Sequence, residues 1–122
     1  MEFTLAEALA LMPEVLVHAE ETVRLRADLA ELSLDLRTGG TSPLGRIAEQ
    51  KALEARLNEE LTWFSEQGLE VKGFAPLLLD FPARLDGRSV QLCWLEGDRE
   101  LGWYHRSELG FAGRRPLPGG TA

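Results

Sequence analysis

The sequence predicts an α+β fold: a long antiparallel helical hairpin, kinked near Pro13, packed with a three- to four-stranded antiparallel β-sheet. Three observations predict it. Apolar residues recur at three- and four-residue steps over 4–37 and again over 43–67. From residue 77 onward they alternate singly, as in strands with one buried face. Two turn dipeptides, Asp86-Gly87 and Gly97-Asp98, cut that second half into strand-length runs.

At 122 residues the chain is expected to form a single domain. Residues 1–67 make the hairpin, 68–115 the sheet with a glycine-rich loop, and 116–122 a flexible tail. A hydrophobic content of 44% excludes a disordered chain, and a single cysteine, Cys93, excludes a disulfide scaffold. No apolar run reaches the roughly 18 residues of a membrane span, and Met1-Glu2-Phe3-Thr4 has no signal-peptide character. A cytoplasmic location is the expectation. The net charge of -7 is unevenly spread: residues 1–66 carry six basic and thirteen acidic side chains, whereas 67–122 carry seven of each. An acidic hairpin repels phosphate backbones and acidic lipids, so neither nucleic acid nor membrane is an expected partner.

In the first helix Leu5, Leu9, Met12, Leu16, Ala19, Val23 and Ala30 form a stripe, with Leu25, Leu29, Leu32 and Leu36 beside it. Thr4 and Glu7 have capping-box spacing. Pro13 lacks an N–H and clashes with the carbonyl four residues back, so a kink or break is expected near residues 11–13. The arms 13–37 and 43–67 would then match in length, roughly 37 Å each. Residues 38–42 form a breaker loop, with Ser42 as N-cap and Pro43 in the first turn. The second helix presents Ile47, Leu53, Leu57, Leu61 and Phe64 on one face and stops at Gly68. Faces this broad, on so long a hairpin, favour a homodimer built as a four-helix bundle.

The strand runs are 77–85, 88–96 and 99–106, with a further short extended piece over 70–74. Two-residue turns would set Asp80 opposite Cys93 in the first hairpin and Leu92 opposite Trp103 in the second. The apolar face then carries Leu79, Phe81, Ala83, Val90, Leu92, Trp94, Leu101, Trp103 and His105. The polar face carries Asp80, Arg84, Gln91, Cys93, Tyr104 and Arg106 and is expected to meet solvent or a partner. Pro82 cannot donate to a ladder, which makes 77–85 an edge strand on at least one side.

Several segments resemble one known family. They are Phe3-Thr4-Leu5, Leu-Met-Pro-Glu at 11–14, Leu79-Asp80-Phe81-Pro82-Ala83, Leu92-Cys93-Trp94, Trp103 with His105, and Gly110-Phe111-Ala112-Gly113-Arg114. Together they resemble the uncharacterised bacterial domain of unknown function 2203 family over almost the whole chain. The family pattern tends to read Arg-Gly-Leu-Val before Asp-Phe-Pro, where this chain has Ala75-Pro76-Leu77-Leu78-Leu79. It also tends to read Trp-His, where this chain inserts Tyr104. The resemblance supports the fold and marks residues; it implies no reaction.

Asp80, Cys93 and His105 are the residue types of a zinc site or of a cysteine nucleophile with its base. The predicted register sends Cys93 and His105 to opposite faces, so no metal and no cofactor is expected. His105 is read as a hydrogen-bonded group at the core rim. The segment 110–115 is the leading ligand candidate: Gly110 and Gly113 free the backbone for an anion-binding concavity, and Arg114 and Arg115 supply fork-shaped donors. Asp80 and His105 complete the candidate set, and Arg84 and Arg106 would extend the basic patch on the polar face. The leading function is a non-enzymatic interaction or scaffold module that self-associates through its hairpin. The alternative is a small-molecule or anion-binding protein, with enzymatic activity open, whose site lies near 110–115.

Overall fold

The computed structural model describes residues 2–39 and 43–118. Helix α1 spans Leu5–Arg37 and α2 Pro43–Glu66. The strands are β1 Glu70–Phe74, β2 Leu77–Leu85, β3 Arg88–Leu95, β4 Trp103–Arg106 and β5 Arg115–Pro116. They form one five-stranded sheet in the order β1-β2-β3-β4-β5, every neighbouring pair antiparallel. The α+β class stands, with five strands rather than three or four. The expected N-cap Ser42 and the end of the expected tail, 119–122, lie outside the described residues.

The expected break at Pro13 is absent, and α1 runs 33 residues without interruption. Its arms are therefore unequal, since α2 has 24. Pro13 and Leu9, whose carbonyl loses its donor, are both exposed, so water can satisfy the freed oxygen. Both sides of the proline are pinned to the sheet side by buried Ala8, Met12 and Val15. The predicted capping box is present: Glu7 N–H donates to Thr4 Oγ1 (3.1 Å) and Thr4 N–H to Glu7 Oε1 (2.9 Å).

From Ala8 through Met12, Val15 and Ala19 to Thr22 the buried positions of α1 step alternately by four and three residues, and Leu25 and Leu32 follow them along the helix. Leu9 lies outside that stripe, 47% exposed, and Ile47 of α2 is 46% exposed. The small residues Ala8 and Ala19 let the helix approach the sheet closely. They pack with Phe64 on Leu77, Leu79, Phe81, Ala83, Val90, Leu92 and Trp94, the inner sheet face. Arg26 clamps hairpin to sheet: its guanidinium donates to both oxygens of Glu96 (2.7 and 2.8 Å) and to the Phe74 carbonyl. Toward the hairpin tip, Leu32 buries and Gln50 donates to Ser33, while Leu57 buries farther back along α2, one residue from the Arg56–Glu21 pair.

The first hairpin has the predicted register, Asp80 opposite Cys93 and Phe81 opposite Leu92. Asp86 and Gly87 both have positive φ, as a two-residue turn matching strand twist requires. The second register differs by one residue: Cys93, not Leu92, faces Trp103, and Leu92 faces Tyr104. No two-residue hairpin forms there. Asp98 Oδ2 accepts the Leu95 N–H, Asp98 N–H donates to the Leu95 carbonyl, and pairing resumes only at Trp103. Trp103 and His105 consequently move to the outer face, and Tyr104 packs against the core. Pro116, expected in the tail, pairs with Trp103, and Leu117 buries to 6% exposure.

Candidate functional site

The outer face does not meet solvent where polar residues were expected to. Asp80 is 2%, Cys93 0% and His105 5% exposed. The chain after β4 returns across them through a 3-10 turn, Phe111–Gly113. Leu109, Gly110 and Phe111 border a cavity of about 290 Å³ that Asp80, His105 and Lys72 also line. Arg114 seals the adjoining edge, its guanidinium stacked 4.6 Å over the Trp103 ring and 5.2 Å over Phe111, and paired with the Asp98 carboxylate.

Three adjacent strands position the buried cluster. Asp80 on β2 stands opposite Cys93 on β3, and His105 on β4 lies diagonal to Cys93. One ligand atom from each side chain lies within 4.8 Å of the other two. His105 Nδ1 contacts the Arg106 carbonyl at 2.9 Å, and Nε2 contacts Asp80 Oδ2 at 3.2 Å. A carbonyl oxygen only accepts, so Nδ1 carries a proton, and Nε2 and Oδ2 share one proton between them. Asp80 Oδ1 is buried with no hydrogen-bond partner among the described residues. Burial pushes the Asp80 carboxyl up from its ordinary range, against the opposing pull of His105, the Cys93 thiol and Lys72. Burial, then the neighbouring Asp80 charge, push the Cys93 thiol to about 12, with Arg114 working the other way. By itself Cys93 is therefore a protonated thiol and a poor nucleophile.

The glycine-rich segment is arranged differently from an anion concavity. Gly113 N–H donates to the Gly110 carbonyl and Arg114 N–H to the Phe111 carbonyl, so the turn consumes these donors itself. Arg115 lies exposed on β5, across from Tyr104. Arg84 and Arg106, expected on one face, part: Arg84 bonds Glu2 and the Gly87 carbonyl, while Arg106 stands opposite Val90 on the inner face. There, past the helices, a second cavity of about 410 Å³ opens. Arg88, Arg106 and Arg115 border it with Tyr104, and Gly113 forms part of its wall.

A sequence model of the family described as an uncharacterized conserved protein, DUF2203, matches residues 2–117. The chain belongs to that family. No match was found among curated proteins or among solved structures. The segments that carry this DUF2203 chain's resemblance supply Asp80, Cys93, His105 and Arg114, and the fold gathers all four around β3 and β4. No membrane-length apolar helix occurs among the described residues.

Of the candidate residues, Asp80 and His105 touch, and Arg114 sits at the edge of their cluster. Gly110 borders the outer cavity, and Gly113 and Arg115 the inner one. Sequence reasoning missed Lys72, Asp98 and Arg88. Lys72 sits at an irregularity between Val71 and Gly73 that only β1–β2 pairing reveals. Asp98 had a readable signal, a short carboxylate beside Gly97, which bonds nearby backbone.

Proposed function

We propose that this DUF2203 protein binds a small organic anion in the arginine-bordered cavity between β3, β4 and the chain around β5. The convergence of Arg88, Arg106 and Arg115 on one 410 Å³ cavity carries this reading. Three guanidinium groups offer forked donors for a phosphate or carboxylate head. Leu85, Val90 and Leu109 give the wall an apolar side for the body of the ligand. A volume in the usual range of ligand pockets supports an organic anion over a bare ion. Glu108, paired with Arg106, and Asp86 reduce the positive excess, which favours a singly or doubly charged head over a polyanion. The single unpaired Cys93 is in keeping with a cytoplasmic setting.

Titration calorimetry with phenyl phosphate and benzoate tests the reading, inorganic phosphate serving as the head alone. Binding of the aromatic anions, weakened at least about tenfold in both Arg106→Ala and Arg115→Ala with unchanged circular dichroism, is expected. Equal affinity in these variants would overturn it. Self-association through the hairpin is the second reading. Leu34 (51% exposed) and Ile47 (46%) near the hairpin tip support it, and sedimentation of wild type against Ile47→Ser decides it.

A further inference from the structure

We propose that Asp80, Cys93 and His105 form a three-ligand site for a divalent transition-metal ion of the zinc type, with a fourth position open to the outer cavity. This site is separate from the anion cavity, on the opposite face of the same sheet, and neither depends on the other.

The donor set is an imidazole nitrogen, a thiol sulfur and a carboxylate oxygen, a mixture that suits zinc among the common divalent ions. In a tetrahedral site with bonds of about 2.0–2.3 Å the donors stand roughly 3.3–3.8 Å apart. The three atoms here lie within 4.8 Å of one another, close to that spacing. Because they come from three hydrogen-bonded strands, the scaffold holds that spacing rigidly.

Two further observations point to a cation rather than to a chance polar cluster. His105 Nδ1–H donates to the Arg106 carbonyl, which aims Nε2 at the cluster, where it would offer a lone pair once the proton it shares with Asp80 is displaced. A backbone carbonyl is one of the usual acceptors for the far nitrogen of a metal-ligating histidine. Asp80 Oδ1 is buried and lacks a partner among the described residues, a costly arrangement that a cation would satisfy. The proton between Nε2 and Oδ2 already fills part of this role, and a metal ion would take its place together with the thiol proton. The two nearby cations are each drawn to an acid: Arg114 to Asp98, and Lys72 to Glu70 at 3.1 Å.

Asp80 and His105 line the cavity, whereas Cys93 is wholly enclosed. A metal bound here would be anchored from below by sulfur and open from above to water or a small ligand. Three protein ligands with one free position is the coordination of a zinc that acts on a bound molecule; structural zinc takes four protein ligands.

The test is titration of the chelator-stripped full-length protein with Co(II), followed by Zn(II). One Co(II) per chain is expected, with a near-ultraviolet thiolate-to-cobalt band that Zn(II) abolishes. Cys93→Ser should lose the band, and Asp80→Asn and His105→Asn should bind Zn(II) at least about 100-fold more weakly, because loss of an outer-shell partner alone costs about 10–100-fold. A folded wild-type chain that shows no thiolate band at saturating Co(II) overturns the site, whatever the variants do. So does undiminished Zn(II) affinity in a folded Cys93→Ser protein.

Discussion

Cys93 stands directly across the sheet from Trp103, and that single alignment brings His105 onto the face that holds Asp80. Asp98 sets it. Its side chain takes the Leu95 N–H and the Arg114 guanidinium, and its carbonyl takes the Trp94 indole N–H at 3.0 Å. Asp98→Ala strips the carboxylate from both the turn and Arg114. A loss of about 2–3 kcal/mol is expected in urea unfolding, with a change in tryptophan emission as Arg114 leaves the Trp103 ring. Asp98→Asn keeps one acceptor and should fall between the two.

Arg26 and Glu96 couple the hairpin to the sheet in a pH-dependent way. The Arg26 guanidinium, then the Leu77 N–H, hold the Glu96 carboxyl down at about 2, below its ordinary 4.5. A carboxyl lowered by folding adds stability that is complete above about pH 4.5 and disappears as pH falls toward 2. Stability should therefore drop across that window. In Glu96→Gln this portion of the acid dependence should be missing, with a neutral-pH cost of about 1–2 kcal/mol for a pair still part-exposed. Chemical unfolding at a series of pH values checks both.

Phe64 is fully buried where both helices meet the sheet, and its truncation to alanine should cost about 3–5 kcal/mol. Leu57 is 7% exposed and lies outside the main core cluster, so Leu57→Ala should cost less, about 2 kcal/mol. Equal losses would mean that the helix pair is as tightly packed at Leu57 as it is where it meets the sheet.

Gly110 and Gly113 open and close the 3-10 turn yet should differ in tolerance. A Cβ on Gly113 would sit 2.8 Å from both Cβ and Cδ1 of Leu109, whereas one on Gly110 meets nothing within 4 Å. Gly113→Ala should cost about 1–2 kcal/mol and disturb the Arg114–Trp103 stack, and Gly110→Ala should stay within about 0.5 kcal/mol. Thermal unfolding followed by tryptophan fluorescence separates them.

The legible part of the structure is the part governed by local chemistry. Asp86-Gly87 fixed its hairpin because both residues can take positive φ at little cost. Thr4 and Glu7 announced the start of α1. Gly97-Asp98 looked equivalent but was not, since Asp98 spends its carboxylate on Leu95 N–H and lengthens the connection. That one residue reversed the faces of Trp103, Tyr104 and His105, and hid the convergence of His105 with Cys93. At Pro13 the expected break did not occur, because a local penalty was outweighed by burial of Ala8, Met12 and Val15 on the sheet. β5 was beyond reach, because two residues, one a proline, carry no periodic signal.

Phe3 forms a parallel bridge with Ala83, its N–H donating to the Pro82 carbonyl at 2.7 Å. β1 pairs with β2 only as far as Asp80, so the outer edge of β2 beyond it would otherwise stand open. Pro82 offers no donor there, and Phe3 occupies its acceptor while its ring packs edge-on against Phe81. The residues ahead of the first helix thus act as a bumper against strand-by-strand stacking of one molecule on the next. Removing Phe3 would expose a sticky seam, and the first symptom would be loss of solubility, ahead of any loss of fold.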